Sequence, residues 1–306
     1  MTDNVIVAEN LGHVYRGGTV ALDGVNLEIG TGLFGLLGSN GAGKSTFMRI
    51  ICTLLVPTSG RVTVNGLNVV TDRRQVRTLF GYLPQEFGAW RLQRVSEVLD
   101  ALALISGLND SRARRQRIAE VLESVGLEKV ANRKVKQLSG GMVRRLGVAQ
   151  ALVHEPKILI MDEPTVGLDP EERLRFRQLM ANLARDRLII LSTHIVADLG
   201  SGCTDLALID RGKLQYRGSP AELIGLARDK VCEVAVAETQ ESQIASQIEI
   251  VSRTATDGKI ALRGVITQGE VPTGARMVED ITLEEAYLAF MTGRGHHADD
   301  LEMADS

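Results

Sequence analysis

Gly38-Ser39-Asn40-Gly41-Ala42-Gly43-Lys44-Ser45-Thr46 has the spacing G-x-x-x-x-G-K-[ST]. These residue types suit the holding of a polyphosphate. Glycines let backbone N–H groups curl around phosphate oxygens where a Cβ would block the approach. Lys44 adds a point charge for the terminal phosphates, and the Ser45 hydroxyl can ligate Mg²⁺. Asp162 and Glu163 close the apolar run Ile158-Leu159-Ile160-Met161. One carboxylate there can hold Mg²⁺ through a water, and the other can polarise an attacking water. His194 closes a second apolar run that starts at Leu188. Ser139-Gly140-Gly141 feeds an apolar helical pattern, and the free N–H groups of a helix start can face an anion. Each feature alone has a plainer reading: a glycine-rich turn, a solvated acidic turn, a structural histidine.

The elements that would carry these residues are legible around them. Leu33-Phe34-Gly35-Leu36-Leu37 reads as a buried strand leading into the phosphate loop, and Thr46–Ile51 as the first turns of a helix, the context the loop needs. The run ending at Asp162 is uninterrupted, as in a parallel strand covered on both faces, and Leu188–His194 reads as another buried strand. Their carboxyl ends are where open α/β sheets bind ligands. Asp169-Pro170 reads as N-cap and first position of a helix running to about Ala184.

Val5–Glu9, Val25–Ile29 and Arg61–Gly66 read as strands, the last ending in a turn. Tyr15 stands before the Gly17-Gly18 turn and can either stack on a base or simply pack. Tyr82–Phe87 reads as a short strand broken by Pro84, with Gln85 at its edge. Ser96 to about Val125 is helical in period. The charge run Arg112–Arg117 within it reads as a solvated helix face. Asp205–Asp210 and Leu214–Arg217 read as a closing hairpin.

Past Ser219-Pro220 a helix runs to about Ala227 and the pattern changes. Val231–Val236, Ile248–Val251 and Ile260–Val265 read as strands, the last two joined by an Asp257-Gly258 turn. Thr282-Leu283-Glu284-Glu285 is a capping box opening a last helix. The expected domains are 1–226, 227–292 as a small α+β domain, and a polar, disordered tail 293–306 in which His296 and His297 fall.

The chain of 306 residues has a net charge of −3 and is 44% hydrophobic. A core can therefore form, and no basic field points to nucleic acid. Cys52, Cys203 and Cys232 lack metal-ligand or paired spacing, which suits a reducing cytosol. No signal peptide and no stretch of 18 uninterrupted apolar residues is visible, so the expectation is a chain that does not span a membrane by itself.

Taken in order, these pieces resemble the ATP-binding subunit of an ABC transporter, from about Val5 to Leu226. The resemblance rests on Tyr15, Gly38–Thr46, Gln85, Leu138–Met142, Ile158–Glu163, Gly167–Asp169 and His194. It implies a P-loop NTPase fold of α/β class: a central, mainly parallel sheet, an antiparallel β subdomain and a helical subdomain at about 90–153. It implies ATP and Mg²⁺ as cofactors. Tyr15, Gly38, Ser39, Asn40, Gly41, Ala42, Gly43, Lys44, Ser45, Thr46, Gln85, Ser139, Gly140, Gly141 and Asp169 would bind nucleotide. Glu163, His194 and Lys44 would be catalytic, and Ser45, Gln85 and Asp162 would hold the metal. Met142 departs from the glutamine usual at that place.

The resemblance further implies an ATP-sandwiched homodimer, or a pair with a related subunit, on a separate transmembrane permease. The chain would be cytoplasmic and peripheral on the inner face of the cell membrane. Gly141–Arg145 and Ile281–Leu288 look like the drug-resistance and polymer-export branch. Phe87 and Trp90, just beyond Gln85, are expected either at the permease contact or in the core of the helical subdomain. A soluble ABC-type ATPase of translation or DNA repair is the alternative; such chains usually carry two cassettes or a long coiled-coil insertion. A P-loop GTPase or kinase would leave Ser139–Gly141 and His194 unexplained.

Overall fold

The computed structural model describes residues 5–88, 90–200, 202–256, 259–267 and 270–295. The Asp257-Gly258 turn and the 296–306 part of the tail, with His296 and His297, lie outside the described residues.

The chain forms two compact units, residues 1–217 and 218–306. The first unit opens with strands β1 (Ile6–Val14), β2 (Val20–Ile29) and β3 (Leu33–Leu37), then helix α1 (Lys44–Ile51). β4 (Ser59–Val64), β5 (Leu67–Asn68), α2 (Arg73–Leu79) and β6 (Phe80–Leu83) follow. Three helices come next: α3 (Val95–Ile105), α4 (Ser111–Ser124) and α5 (Gly140–Leu152). The unit finishes with β7 (Ile158–Asp162), α6 (Pro170–Leu183), β8 (Leu188–Thr193), β9 (Cys203–Asp210) and β10 (Lys213–Gly218), whose last residue opens the second unit.

Two sheets organise this unit. One has the order β2-β1-β4-β5, and its printed pairings are antiparallel. The other has the order β10-β9-β3-β8-β7-β6, with β9, β3, β8, β7 and β6 mutually parallel. One core joins them: Leu22, Val25, Val62 and Val64 of the first sheet cluster with Phe47, Met48, Ile50 and Ile51 of α1 and with Phe34, Ile160, Ile190 and Ile209 of the second. Every residue of β3, β7 and β8 is buried. Burying each large aliphatic side chain contributes roughly 1.5–3 kcal/mol, which is why these runs carry no polar alternation. The parallel register matters for function. Leu37 lies beside Thr193, Asp162 beside Ser192 and Leu83 beside Met161, so the strands end level on one sheet edge.

The charge run is a solvated helix face at Arg112, Arg115 and Gln116, which are exposed, but not at Arg114 and Arg117. Arg114 bonds the Asp100 carboxylate and the carbonyl oxygens of Leu108 and Asn109. Arg117 bonds the carbonyls of Leu152 and Val153 at the end of α5. Their side chains are only 13% and 15% exposed. They serve as braces because they meet orphan carbonyl groups at or just past helix ends, where a fork of donors is useful.

The second unit holds α7 (Pro220–Leu226), β11 (Val231–Val236), α8 (Glu241–Ala245), β12 (Ile248–Thr256), β13 (Lys259–Ile266), β14 (Arg276–Met277) and α9 (Leu283–Thr292). Its sheet has the order β12-β13-β11-β14, all antiparallel. Cys232, Val234, Ile244, Ile248 and Leu262 form a small core. α7, placed in the first domain by the sequence boundary at 226/227, packs on α9 and belongs to the second unit.

Candidate functional site

The loop Gly38–Gly43 links β3 to α1 on that common sheet edge. Its glycines are demanded by geometry: Gly43 has φ +109°, and a Cβ there would stand 2.5 Å from the Ala21 carbonyl oxygen. A Cβ on Gly38 would collide with the Ile209 carbonyl oxygen. No acidic residue lies in the first turn of α1, so the partial positive charge of its N-terminus is left for a ligand. A cleft of about 400 Å³ opens over the loop, lined by Tyr15, Thr19–Ala21, Ser39–Thr46, Gln85 and Glu163.

Lys44 is buried at the head of α1. Its Nζ donates to the carbonyl oxygens of Gly38 at 2.6 Å and Ser39 at 3.1 Å, and lies 3.1 Å from Glu163 Oε1. The other oxygen of Glu163 lies 2.9 Å from His194 Nδ1. Burial opposes ionisation of Glu163. The His194 hydrogen bond and the Lys44 charge outweigh it and hold the carboxyl below its ordinary value. Ser192 Oγ donates to Asp162 Oδ1 at 2.7 Å and accepts the Glu163 N–H at 3.1 Å. β8 thus orients the Asp162 carboxylate that ends β7 and the backbone of Glu163 just after it.

Tyr15 follows β1 at the cleft rim. Its hydroxyl meets Thr46 Oγ1 at 3.0 Å, and its ring stands edge-on to His13, with centroids 4.6 Å apart. Ser45 is half-buried and Gln85 exposed. Ser45, Gln85 and Asp162 would offer a hydroxyl, an amide oxygen and a carboxylate. That all-oxygen set fits Mg²⁺, which takes few protein ligands and completes its shell with water and phosphate. Among the described residues no three His, Cys, Asp or Glu side chains gather into a protein-only metal cage.

Ser139, Gly140 and Gly141 do not line the phosphate-loop cleft. Ser139 caps α5, its Oγ accepting the Met142 N–H at 3.2 Å. Ser139 and Gly140 are exposed and Gly141 is buried. Gly140 instead lines a separate cleft of about 370 Å³ with Gln85, Phe87, Arg144 and Val166–Leu168. Asp169 caps α6 through the Glu172 N–H at 2.8 Å. Phe87 is half-buried over Gly147 of α5, whereas Trp90 is 49% exposed.

Arg144 has no role of its own in the sequence beyond its place in the Gly141–Arg145 stretch. It bonds the backbone of Pro84, Gln85 and Glu163. The only sequence signal was a pair of arginines in the second turn of a helix.

Comparison with known proteins agrees with this geometry. The family described as ABC transporter matches residues 22–166. The linearmycin resistance ATP-binding protein of Bacillus subtilis (strain 168) is 34% identical over 241 residues, covering 78% of this chain and 77% of that protein. Solved structures share the fold. CbiO1 of Clostridium perfringens, part of the ABC transporter complex cbiONQ, matches with TM-score 0.67 and 28% identity over 73% of this chain and 91% of that one. The dimeric structure of the bacterial ABC transporter cassette MJ0796 matches with TM-score 0.63 and 27% identity over 70% of this chain and 98% of that one. Sequence identity spread across most of both chains, on a sheet edge that gathers a phosphate loop, paired carboxylates and a histidine, places this chain in the family of ABC transporter ATP-binding proteins.

Proposed function

We propose that this ATPase subunit hydrolyses ATP between two copies of itself, or itself and a related subunit, and so drives export through a separate membrane-embedded permease. The observation that carries the reading is the division of the anion-binding groups. Lys44, the phosphate loop and Glu163 face one cleft, while Ser139 and Gly140 lie exposed outside its lining. A second chain set head to tail would bring its Ser139–Gly141 to the open side of that cleft. The dimeric cassette and the cbiONQ complex, to which cbiO1 belongs, support both kinds of partner.

In this reading Tyr15 stacks on the adenine, Lys44 and the loop N–H groups hold the β- and γ-phosphates, and Glu163 orients the attacking water and accepts its proton. His194 keeps the Glu163 carboxylate aimed. Ser45, Gln85 and Asp162 hold Mg²⁺, which when bound neutralises charge on the phosphate oxygens. The linearmycin-resistance name of the Bacillus relative is in keeping with export. No described helix is long and apolar enough to cross a membrane, and exposed Trp90 suits the permease contact. The transport names of the relatives do not favour the translation or repair alternative.

Phosphate release by the purified chain tests the assignment. Glu163→Gln should lose roughly 10²–10⁴ in rate and keep nucleotide binding. A Glu163→Gln protein turning over at the wild-type rate removes Glu163 from the reaction.

A further inference from the structure

Arg144 joins two walls of the nucleotide cleft that come from different parts of the chain. It lies in the second turn of α5, the helix capped by Ser139. Its Nη1 donates to the carbonyl oxygens of Pro84 at 3.3 Å and Gln85 at 2.9 Å. Its Nη2 donates to the Glu163 carbonyl oxygen at 3.0 Å. Gln85 and Glu163 both line the phosphate-loop cleft, which Arg144 itself does not reach.

The Glu163 backbone shows why such a bond matters. Its φ is +46°, in the left-handed region that a non-glycine residue occupies at a cost and only when its surroundings impose it. Those surroundings are visible. The Glu163 N–H meets Ser192, at 3.1 Å to Oγ and 3.2 Å to the carbonyl oxygen, and the Glu163 carbonyl meets Arg144. One bond comes from β8 and the other from α5. Together they set the peptide from which the carboxylate projects. A guanidinium suits the task because its planar fork sends fixed donors to separate acceptors, which a single ammonium cannot span. Burial works against the Arg144 charge, and the Asp162 carboxylate partly offsets this. The ion is held in place for its geometry rather than its solvation.

We propose that Arg144 is a positioning residue for hydrolysis, one guanidinium fixing the backbone of Gln85 and Glu163 together and tying both to the helix that starts at Ser139. The proposal rests on the hydrolytic role assigned above to Glu163. It has a mechanical consequence. Contact made at the Ser139 end of α5 reaches the water-orienting carboxylate through one rigid helix and one ion. Arg144 touches none of Lys44, Ser45 or Tyr15, so its loss misaligns the reaction without removing the groups assigned to nucleotide binding.

The test is steady-state phosphate release and equilibrium nucleotide binding by full-length Arg144→Ala and Arg144→Lys. Arg144→Ala should lower kcat by about 10–100-fold, the scale of a small misplacement of reacting groups, with KM for ATP kept within about threefold. Millimolar guanidinium chloride should restore part of that kcat in Arg144→Ala. It should not do so in Arg144→Lys, whose side chain fills the space. A kcat within about twofold of wild type in Arg144→Ala overturns the proposal, as does a loss of nucleotide binding as large as the loss of kcat. If Arg144→Ala does not fold, Arg144→Lys decides: a lowered kcat with KM kept supports the proposal, and wild-type kcat overturns it. Glu163→Gln measured alongside separates the two levels. Wild-type turnover in Glu163→Gln fails the hydrolytic assignment itself. An inactive Glu163→Gln beside an unaffected Arg144→Ala fails the positioning role alone.

Discussion

Lys44 Nζ stands 3.1 Å from Glu163 Oε1, and the two side chains are only 5% and 3% exposed. Each buried charge therefore compensates the other before any phosphate arrives. Removing one partner strands the other. Lys44→Met should destabilise the first unit by about 3 kcal/mol, the scale of a broken buried pair, and adding Glu163→Gln should recover more than half of it. The chain's single tryptophan, Trp90, lies in this unit, so denaturant unfolding followed by its fluorescence reads the effect. Equal stability of Lys44→Met and wild type would mean that the pair contributes nothing to the resting fold.

Tyr15 separates two contributions that one substitution would confound. In the proposed reading its ring stacks on the base, while its hydroxyl bonds Thr46 Oγ1. Tyr15→Ala should weaken ATP binding by about tenfold, within the usual range for aromatic–base stacking. Tyr15→Phe should stay within about threefold, since a neutral hydrogen bond contributes on the order of 1 kcal/mol or less at a half-exposed site. Equilibrium titration with a fluorescent ATP analogue distinguishes them. If Tyr15→Phe is as weak as Tyr15→Ala, the hydroxyl and not the ring is what matters.

In the second unit, Arg263 holds the buried Glu285 carboxylate with both Nε and Nη2, and Thr282 adds a backbone bond. Burial of Glu285 raises its pKa, but these donors prevail and leave it below the ordinary value of 4.5. The stabilisation is complete above the ordinary value and is lost as pH falls through the lower folded value. Glu285→Gln should cost about 2 kcal/mol at neutral pH and make the unit insensitive to that acid step. Hydrogen exchange in Lys259–Ile266 and Leu283–Thr292 should show the loss of protection. Unchanged exchange in Glu285→Gln would show the pair to be dispensable.

Every residue lining the phosphate-loop cleft precedes Gly218. A chain ending at Gly218 should therefore bind ATP with an affinity within about threefold of the full chain. Isothermal titration reads this directly. A folded, soluble truncation that binds no ATP would give the second unit a part in the nucleotide site.

The sheet edge was legible in the sequence because its determinants are local. β3, β7 and β8 are wholly buried strands rich in apolar residues, and the residues proposed to carry the chemistry stand at or just past their ends. The capping box at Thr282 and the helix start past Ser219-Pro220 were equally local. What escaped notice depends on distant partners. β1 extends through irregular register to Val14, past the glutamate where its alternation fades. α2 has only one buried side chain, Val76, and so shows no periodic stripe. Arg114, Arg117 and Arg144 look like surface charge in sequence, yet each turns to carbonyl groups well removed along the chain or at a helix end. Arg263 and Glu285 are 22 positions apart, and only the antiparallel sheet with α9 beside it makes them neighbours.

The most direct measurement for the shared-site account is light scattering on Glu163→Gln with Mg-ATP. Blocked hydrolysis leaves ATP bridging Lys44 of one chain and Ser139 of the other, so the account predicts a stable dimer, while wild type with ADP remains a monomer. Adding Ser139→Arg, which sets a bulky side chain where the opposing phosphate belongs, should return the protein to a monomer that still binds ATP. A Glu163→Gln protein that is saturated with ATP yet stays monomeric at high concentration would contradict the account.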